Sequence, residues 1–523
     1  MTKMRWAGII SLAVCSVGVS GQVPLTPASM PRIAAVDDRF QSYNIEMVEV
    51  TGGRFWKPYA SPAIQTAIRE PGTARQIANQ PAGMDASLYQ YRSPINLSNP
   101  RLRKLAAALG PAYLRVSGTW ANTTYFQNLD DPAPATPPDG FKGVLTRAQW
   151  KGVVDFAHAA NAELVTSFAV SMGTRDASGT WTPEQAHNLL SYTRSIGGSI
   201  AAAEFMNEPT LAAIGGAPAG YDAPAFARDF AVFRSTMKAE SPSTLLLGPG
   251  GVMEGAAPLP ASMHPVKSDD ILASTGPVFD AISYHSYAAV SSRCAAMGGG
   301  MSTTPEAALT VEWLARPVKL EFFYATLRDR FEPGKPLWNT ETAQAACGGD
   351  RWASTFRDSF RYLNQLGALA QRGVAVHLHN TLAASDYGLL DENTYEPRPT
   401  YWAALLWRRL MGTIVLNPGP SPSPDLHLYA HCLRGQPGGV ALLVINTGPA
   451  QTLRVAAPSK RYTLSALTLD ANQVQLNGAS LALGANDALP EMRAVAASGG
   501  ELDFAPATIT FLELPKAKNP ACK

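Results

Sequence analysis

From about residue 40 to residue 412, short β-type runs alternate with amphipathic helical runs, and this alternation constrains the fold more than any other feature. The expected strands are Tyr43 to Val48, Tyr113 to Val116, Leu164 to Ala169, Ala202 to Met206, Thr244 to Leu247, Ala281 to Tyr284, Pro336 to Trp338 and Val374 to His379. Helices between them carry start and stop signals. Ser98-Asn99-Pro100 opens one, with Leu102, Leu105 and Leu109 on a single face and Gly110 behind it. Thr146 caps a second, with Trp150, Val153, Val154 and Ala157 at helical spacing. Thr182-Pro183-Glu184-Gln185 reads as a cap, a first-turn proline and a capping-box glutamine. Strands separated by helices pair in parallel, and eight such units close into a (β/α)8 TIM barrel whose chemistry sits at the C-terminal strand ends.

Beyond residue 412 the pattern changes. Runs at Leu426 to Cys432, Val440 to Asn446, Arg454 to Ala456, Tyr462 to Leu469, Val474 to Leu476 and Ala507 to Leu514 are divided by Gly, Pro, Asn and Asp turns, without a helical repeat. That is the signature of a β-sandwich. The fold class is therefore α/β, a barrel over 36–412 with a C-terminal β-sandwich over 413–523, and the N-terminal part of the barrel segment can add a strand to the sandwich.

Residues 1–21 read as an export signal. Lys3 and Arg5 precede an apolar run from Trp6 to Val19, with small Ser20 and Gly21 behind it. The run is shorter than the roughly 20 residues that a membrane span needs, and no later window is longer and as apolar. The expectation is a secreted or periplasmic protein with no membrane association after signal removal. Without Cys15 four cysteines remain, Cys294, Cys347, Cys432 and Cys522, which allow three pairings. A bridge from Cys432 to Cys522 would tie the tail to the β-rich region and contribute about 4 to 5 kcal/mol in the chain-entropy model. Cys294 and Cys347 are left free or paired. Lys and Arg number 43 against 41 Asp and Glu, a formal net charge of +2, so no whole-molecule field draws in nucleic acid.

The sharpest local signal is Glu204-Phe205-Met206-Asn207-Glu208-Pro209 at the end of the fourth strand, where Pro209 stops the ladder and leaves Asn207 and Glu208 at the rim. A second carboxyl, Glu341, follows Leu337-Trp338 of the seventh strand. Carboxyls at the ends of strands four and seven face each other across a barrel mouth, the arrangement of retaining glycoside hydrolysis, in which one protonates the leaving oxygen and the other attacks the anomeric carbon. Taken singly, each is an ordinary rim carboxylate. His377 and His379 share a strand face at the spacing of a metal half-site, but no Cys or carboxylate supports them, so the expectation is that one of them lines the pocket. Asn380 follows at the strand end, as a sugar contact or a satisfied loop residue. Trp120, Trp181 and Trp338 are candidates for stacking on sugar faces or for packing. The Gly248-Pro249-Gly250-Gly251 turn lacks a dinucleotide fingerprint and a P-loop Lys, and no G-x-S-x-G elbow is present.

With those residues in hand, the chain resembles glycoside hydrolase family 79, the heparanase and β-glucuronidase family, as a bacterial-type member. The resemblance runs through Leu114-Arg115-Val116-Ser117-Gly118-Thr119-Trp120-Ala121-Asn122, the Asn-Glu-Pro segment, Tyr284-His285-Ser286-Tyr287, and the Glu341 segment on to Gly348-Gly349. It continues at Tyr387-Gly388-Leu389-Leu390-Asp391-Glu392-Asn393, Tyr401-Trp402 and Val474-Gln475-Leu476-Asn477-Gly478, and reaches Cys432 and Cys522. It implies Glu208 as acid/base, Asn207 as partner of the sugar 2-hydroxyl, Glu341 as nucleophile, Tyr287 beside the nucleophile and His285 nearby. It also implies that Tyr387 and the amides around Gly348 hold the glucuronate carboxylate, that Glu46 and Thr119 touch sugar, and that Cys432 pairs with Cys522. Cys347 departs from the pattern, since animal heparanases carry glycine there, and Ala346 replaces their tyrosine. With these roles, ionised Glu341 is expected to supply the raised pKa that Glu208 needs as an acid.

The resulting expectation is a secreted retaining β-glucuronidase that needs no cofactor or metal. Its substrate would be an oligosaccharide or glycoconjugate containing glucuronic acid. Dispersed Arg and Lys, with none from Gly248 to Met263, favour exo action. The alternatives are endo cleavage of heparan-type chains, a barrel glycosidase for a neutral sugar, and a non-catalytic polysaccharide-binding protein.

Overall fold

The computed structural model describes residues 24–59, 86–255, 264–295 and 301–523. The expected signal lies outside them, and so do residues 256–263 of the stretch free of Arg and Lys. Eight parallel strands close the barrel in chain order, Gln41–Glu46, Ala112–Ser117, Ala162–Ser167, Ile200–Glu204, Leu245–Val252, Ala281–Tyr287, Leu337–Ala343 and Val374–His379. Inside, Tyr113, Val165, Ala202, Leu247, Ala281, Trp338, Val376 and Leu378 form one buried cluster that plugs the barrel below its mouth. Outside, helices such as Pro100–Ala108, Arg147–Ala159 and Ala223–Glu240 bury Leu102, Leu105, Trp150, Val153, Phe226 and Phe230 against the strands. Asn99 caps the first of these helices by accepting from Leu102 N at 3.1 Å. Thr146 caps the second in a reciprocal box with Gln149.

The structure corrects several local expectations. Strands one, three and four start and end two residues early, because Met47–Thr51 turns into a short helix and the residues after Ser167 and Glu204 leave the ladder for the rim. Strands six and seven run on to Tyr287 and Ala343. Their polar residues are buried at the barrel mouth rather than lost to a loop, so the ladder persists after hydrophobicity ends. Gly248 to Gly251 is no turn but part of the fifth strand, where a Cβ on Gly248 would lie 2.1 Å from the Phe279 ring and one on Gly251 2.2 Å from Ser268. Pro183, not Thr182, occupies the N-cap of Glu184–Ser195. Gln185 turns away to accept from Phe126 N at 2.7 Å, so no capping box forms.

The second domain is largely antiparallel. Its main sheet runs Arg32–Ala35, Met411–Leu416, Leu426–Leu433, Val440–Asn446, Thr508–Leu514, Ser459–Ser465, Gln475–Leu476 and Ala479–Ser480, with Val495–Ala497 on the flank of Ser459–Ser465. A two-stranded sheet of Gln451–Val455 and Gly500–Phe504 covers it, and Leu428, Leu442, Val444, Leu453, Phe504 and Leu512 fill the space between. Arg32–Ala35 pairs with Met411–Leu416, so the chain joins this sheet before it enters the barrel. The domains meet where Tyr429 donates to Asn364 Oδ1 at 2.7 Å, and its ring lies so close to Gly367 that a Cβ there would sit 2.2 Å away. Cys432 and Cys522 are bridged, with Cα atoms 5.2 Å apart, and Cys294 is bridged to Cys347. Among the described residues no helix is long and apolar enough to cross a membrane.

Candidate active site

Strand ends bring the chemistry together at the mouth. After Glu204 the fourth strand yields to Asn207 and Glu208, and Glu208 sits in the left-handed region at φ 47 before Pro209 opens a short 3-10 turn. A non-glycine residue there costs on the order of 1 kcal/mol or more, so the neighbours must fix it. Asn122 does so with a reciprocal pair, donating to Asn207 O at 2.9 Å and accepting from Asn207 N at 2.8 Å. Glu341 arrives on the seventh strand. One oxygen of each carboxyl and a ring nitrogen of His285 all lie within 4.8 Å of one another.

The two carboxyls have opposite surroundings. Arg115, buried on the second strand, donates from Nη1 to Glu341 Oε2 at 2.8 Å, from Nε to Glu204 Oε2 at 2.9 Å and from Nη2 to Asn207 Oδ1 at 2.8 Å. The other oxygen of Glu341 accepts from the Tyr287 hydroxyl at 2.7 Å. Both oxygens are thus occupied as acceptors. Burial alone would raise the pKa of Glu204, yet the Arg115 charge leaves it lowered, so a fixed ion pair underlies the site.

Glu208 is pushed up to about 7, by burial first, with Arg115 opposing and the charge of Glu204 reinforcing. The expected cause, ionised Glu341, is therefore corrected to desolvation. His285 is lowered to about 4 by burial and is neutral near pH 7. Its Nε2 lies 3.2 Å from Arg115 Nη2, which can only donate, so Nε2 accepts. The ring proton is then on Nδ1, which donates to Glu208 Oε1 at 2.9 Å. Glu208 therefore has Oε2 left to carry its acidic proton.

The opposite wall is built from Glu46, Asn380, Tyr387 and the loop after strand seven. Asn380 Nδ2 reaches Glu46 Oε1 at 3.0 Å, Tyr287 Oη at 3.1 Å and Tyr387 Oη at 3.2 Å. Glu46 is raised by burial and by the charge of Glu341. Its Oε2 and Asn380 Oδ1 are buried without a partner among the described residues. Gly118, at φ 93, is required because a Cβ there would fall 1.5 Å from Glu46 Oε2. In the loop, Cys347, Gly348 and Gly349 have φ of 63, 82 and 79, three successive positive-φ residues, and this run of backbone amides is the candidate anion nest. A Cβ on Gly348 would lie 2.6 Å from Trp56.

Of the residues singled out in the sequence, Glu208, Asn207, Glu341, His285, Tyr287, Glu46, Asn380 and Tyr387 are joined in one hydrogen-bonded cluster at the barrel mouth, Cys347 and Gly348 stand in the loop after strand seven, and Thr119 begins the 3-10 turn after Gly118 and joins none of these hydrogen bonds. Trp338 packs inside the barrel, 4.8 Å from the Tyr113 ring, and Trp181 is a core residue whose Nε1 donates to Ala169 O. Trp120, half-buried at the mouth, is the one of the three placed near the site.

The histidine expectation needs correction. His377 and His379 point outward toward Tyr362 of the helix layer, since it is Val376 and Leu378 that face the barrel interior, and neither imidazole lines the pocket. His379 instead supports the site from behind, 2.8 Å from Tyr387 O. Glu208, His285 and Glu341 have the spacing of metal ligands, but the Arg115 guanidinium already occupies Glu341 and opposes a cation there.

Arg115 and Glu204 carried no expected role, although both stand inside segments quoted above. A charged residue within an otherwise apolar strand run was the available signal.

No protein-family model matches the chain. It is similar to relatives named for one kind of chemistry. Heparanase-like protein 1 of Arabidopsis thaliana is 29% identical over 390 residues, 69% of this chain and 67% of that protein. Baicalin-beta-D-glucuronidase of Scutellaria baicalensis is 34% identical over 178 residues, 32% of this chain and 34% of its own length. Among solved structures, a 4-O-alpha-L-rhamnosyl-beta-D-glucuronidase of Fusarium oxysporum 12S superposes with a TM-score of 0.64 at 13% identity, over 94% of this chain and all of that one, a likeness of fold.

Proposed function

We propose that this chain is a retaining β-glucuronidase of glycoside hydrolase family 79, a bacterial-type member exported from the cell and acting from the end of glucuronate-terminated glycans or glycoconjugates. The observation that carries the reading is the carboxyl pair. One oxygen of Glu208 and one of Glu341 lie within 4.8 Å of each other, a closest approach compatible with the roughly 5 Å separation of a double displacement. Their protonation roles follow from their contacts. Glu208 Oε2 hands its proton to the leaving oxygen while Glu341 attacks C1.

Once the ester forms, Glu341 no longer carries charge, and Arg115 keeps Glu204 as its counter-ion. Glu208, now a carboxylate beside the His285 N–H, takes a proton from the incoming water. Asn207, whose Oδ1 is fixed by Arg115, presents its amide to the sugar 2-hydroxyl. Tyr387 and the amide nest at Cys347 to Gly349 receive the uronate carboxylate, and peptide amides can do this without placing a free cation beside the catalytic carboxyls. The glucuronide chemistry named for the Scutellaria and Fusarium proteins supports this choice of sugar.

Three measurements test the reading. Glu341→Gln should lower kcat on an aryl β-glucuronide by about 10⁴ or more, and a wild-type rate would overturn the assignment of the nucleophile. Proton NMR of the first-formed product should show the β-anomer. Rapid internal depolymerisation of heparan sulfate, with no terminal glucuronate released, would replace exo with endo action.

A further inference from the structure

A buried cluster behind the amide nest lies outside the catalytic machinery described so far. Arg293, its side chain fully buried, donates from Nη2 to Asp386 Oδ2 at 2.5 Å and to Gly349 O at 3.2 Å, and from Nη1 to Lys57 O. Its guanidinium lies 4.2 Å from the centroid of the Tyr59 ring. The next residue, Cys294, is bonded to Cys347. Two consecutive residues therefore hold the two ends of Cys347-Gly348-Gly349, one covalently and one through a carbonyl.

The remaining carbonyl contacts point the same way. Gly349 O also accepts from Ser291 Oγ at 2.9 Å, and Gly348 O accepts from Ser385 Oγ at 3.0 Å and Asp386 N at 3.2 Å. The Gly348 carbonyl, held by Ser385 and Asp386, fixes the peptide plane that carries the Gly349 N–H, and the next plane is fixed at both ends, by the Gly349 carbonyl and by the Asp350 N–H, which donates to Gln344 Oε1 at 2.7 Å. A left-handed tripeptide without such ties would sample other peptide orientations, since glycine imposes little of its own. The charge of Arg293 is offset by Asp386, so the cluster acts through geometry and not through net charge.

We propose that Arg293 and Cys294 form a two-point clamp that sets the specificity of the uronate subsite. They are positioning residues that shape the amide nest without touching substrate. The proposal rests on the β-glucuronidase reading and adds what makes the subsite selective for a carboxylate over a hydroxymethyl group.

The test compares wild type with Cys294→Ser and Arg293→Lys, each in the full-length protein, on an aryl β-glucuronide and the matching aryl β-glucoside. KM for the glucuronide should rise about tenfold in Cys294→Ser with kcat within about twofold, while kcat/KM for the glucoside stays level. Arg293→Lys keeps the charge but loses the fork, and should shift in the same direction. An unchanged glucuronide KM in Cys294→Ser, or an equal loss on both substrates, would overturn the clamp. If the Arg293→Lys variant does not fold, Cys294→Ser decides alone. A wild-type enzyme inactive on the glucuronide would instead sink the reading of function on which the clamp depends, so the two failures are distinct.

Discussion

The two sides of the pocket are held by different physics. On the acid and nucleophile side, Arg115, Glu204, Glu341 and His285 stand on barrel strands and are fixed by charge-assisted hydrogen bonds of 2.8 to 3.2 Å in a buried setting. On the side of the amide nest, the polar groups are backbone amides of a loop, oriented by a disulfide, hydroxyls and one neutralised ion pair. The difference matches what each side would do in the proposed double displacement on a glucuronide. Charge development at C1 needs fixed charges whose positions do not depend on a loop, and the parallel ladder supplies that rigidity. Recognition of a carboxylate beside two catalytic carboxyls needs donors without titratable partners, and peptide N–H groups supply those.

The largest effect that sharpens this contrast should come from Glu208 itself. With its pKa pushed up to about 7, activity on an aryl glucuronide should hold at acidic pH and fall as pH rises through about 7, because only the protonated form can donate. Glu208→Gln should cost about 10² to 10⁴ in kcat and abolish that alkaline limb. The stability consequence has a defined sign. A carboxyl whose folded pKa exceeds its unfolded value near 4.5 binds more protons when folded, so its contribution weakens as pH rises from about 4.5 to about 7. His285, lowered to about 4, contributes with the opposite sign between about 4 and its ordinary 6.5, since the unfolded imidazole binds the extra proton there. Subtracting the melting curve of Glu208→Gln from that of wild type isolates the first slope, and a flat difference between pH 5 and 7 would contradict the desolvated acid.

Arg115 is the next point of attack, because it belongs to the strand-held side alone. Arg115→Met leaves Glu204 buried beside Glu341 with no counter-ion, and breaking a buried pair in this way costs about 3 to 5 kcal/mol. A large drop in melting temperature at pH 7, partly relieved at pH 5 where the carboxyls can protonate, is the expected outcome. Loss of activity with an unchanged melting curve would mean that the ion pair does no structural work.

This residue also marks how far the sequence could be read. The barrel and the antiparallel domain were legible because eight apolar runs at βα spacing and then turn-divided strands leave few topologies. Glu208 and Glu341 stood out because each follows an apolar strand run. Arg115 did not, since Leu114-Arg115-Val116 reads as a strand with a stray charge, and only the closed barrel places it between carboxyls 89 and 226 residues away. The Cys294 to Cys347 bridge and the Arg293 to Asp386 pair were opaque for the same reason, because spacing along the chain carries no information about which loops meet above a barrel.

The smallest effect belongs to the other side and tests whether the two are separable. Tyr387 contributes one hydroxyl to the pocket, held within 3.2 Å of Asn380 Nδ2, and its backbone is anchored by His379. Removing that hydroxyl with Tyr387→Phe keeps the ring, which is buried among Trp56, Tyr287 and Ala384, so folding should be little affected. In the proposed subsite what is lost is one donor to the uronate carboxylate, and the expected change is a rise of about tenfold in KM for the glucuronide, close to the roughly 1.5 kcal/mol of a single hydrogen bond to a charged group. Because Glu208 and Glu341 do not contact Tyr387 directly, kcat and its alkaline limb near pH 7 should stay in place. A shift of that limb in Tyr387→Phe would show that the recognition side also tunes the acid, and the division between the strand-held and loop-held sides would fail.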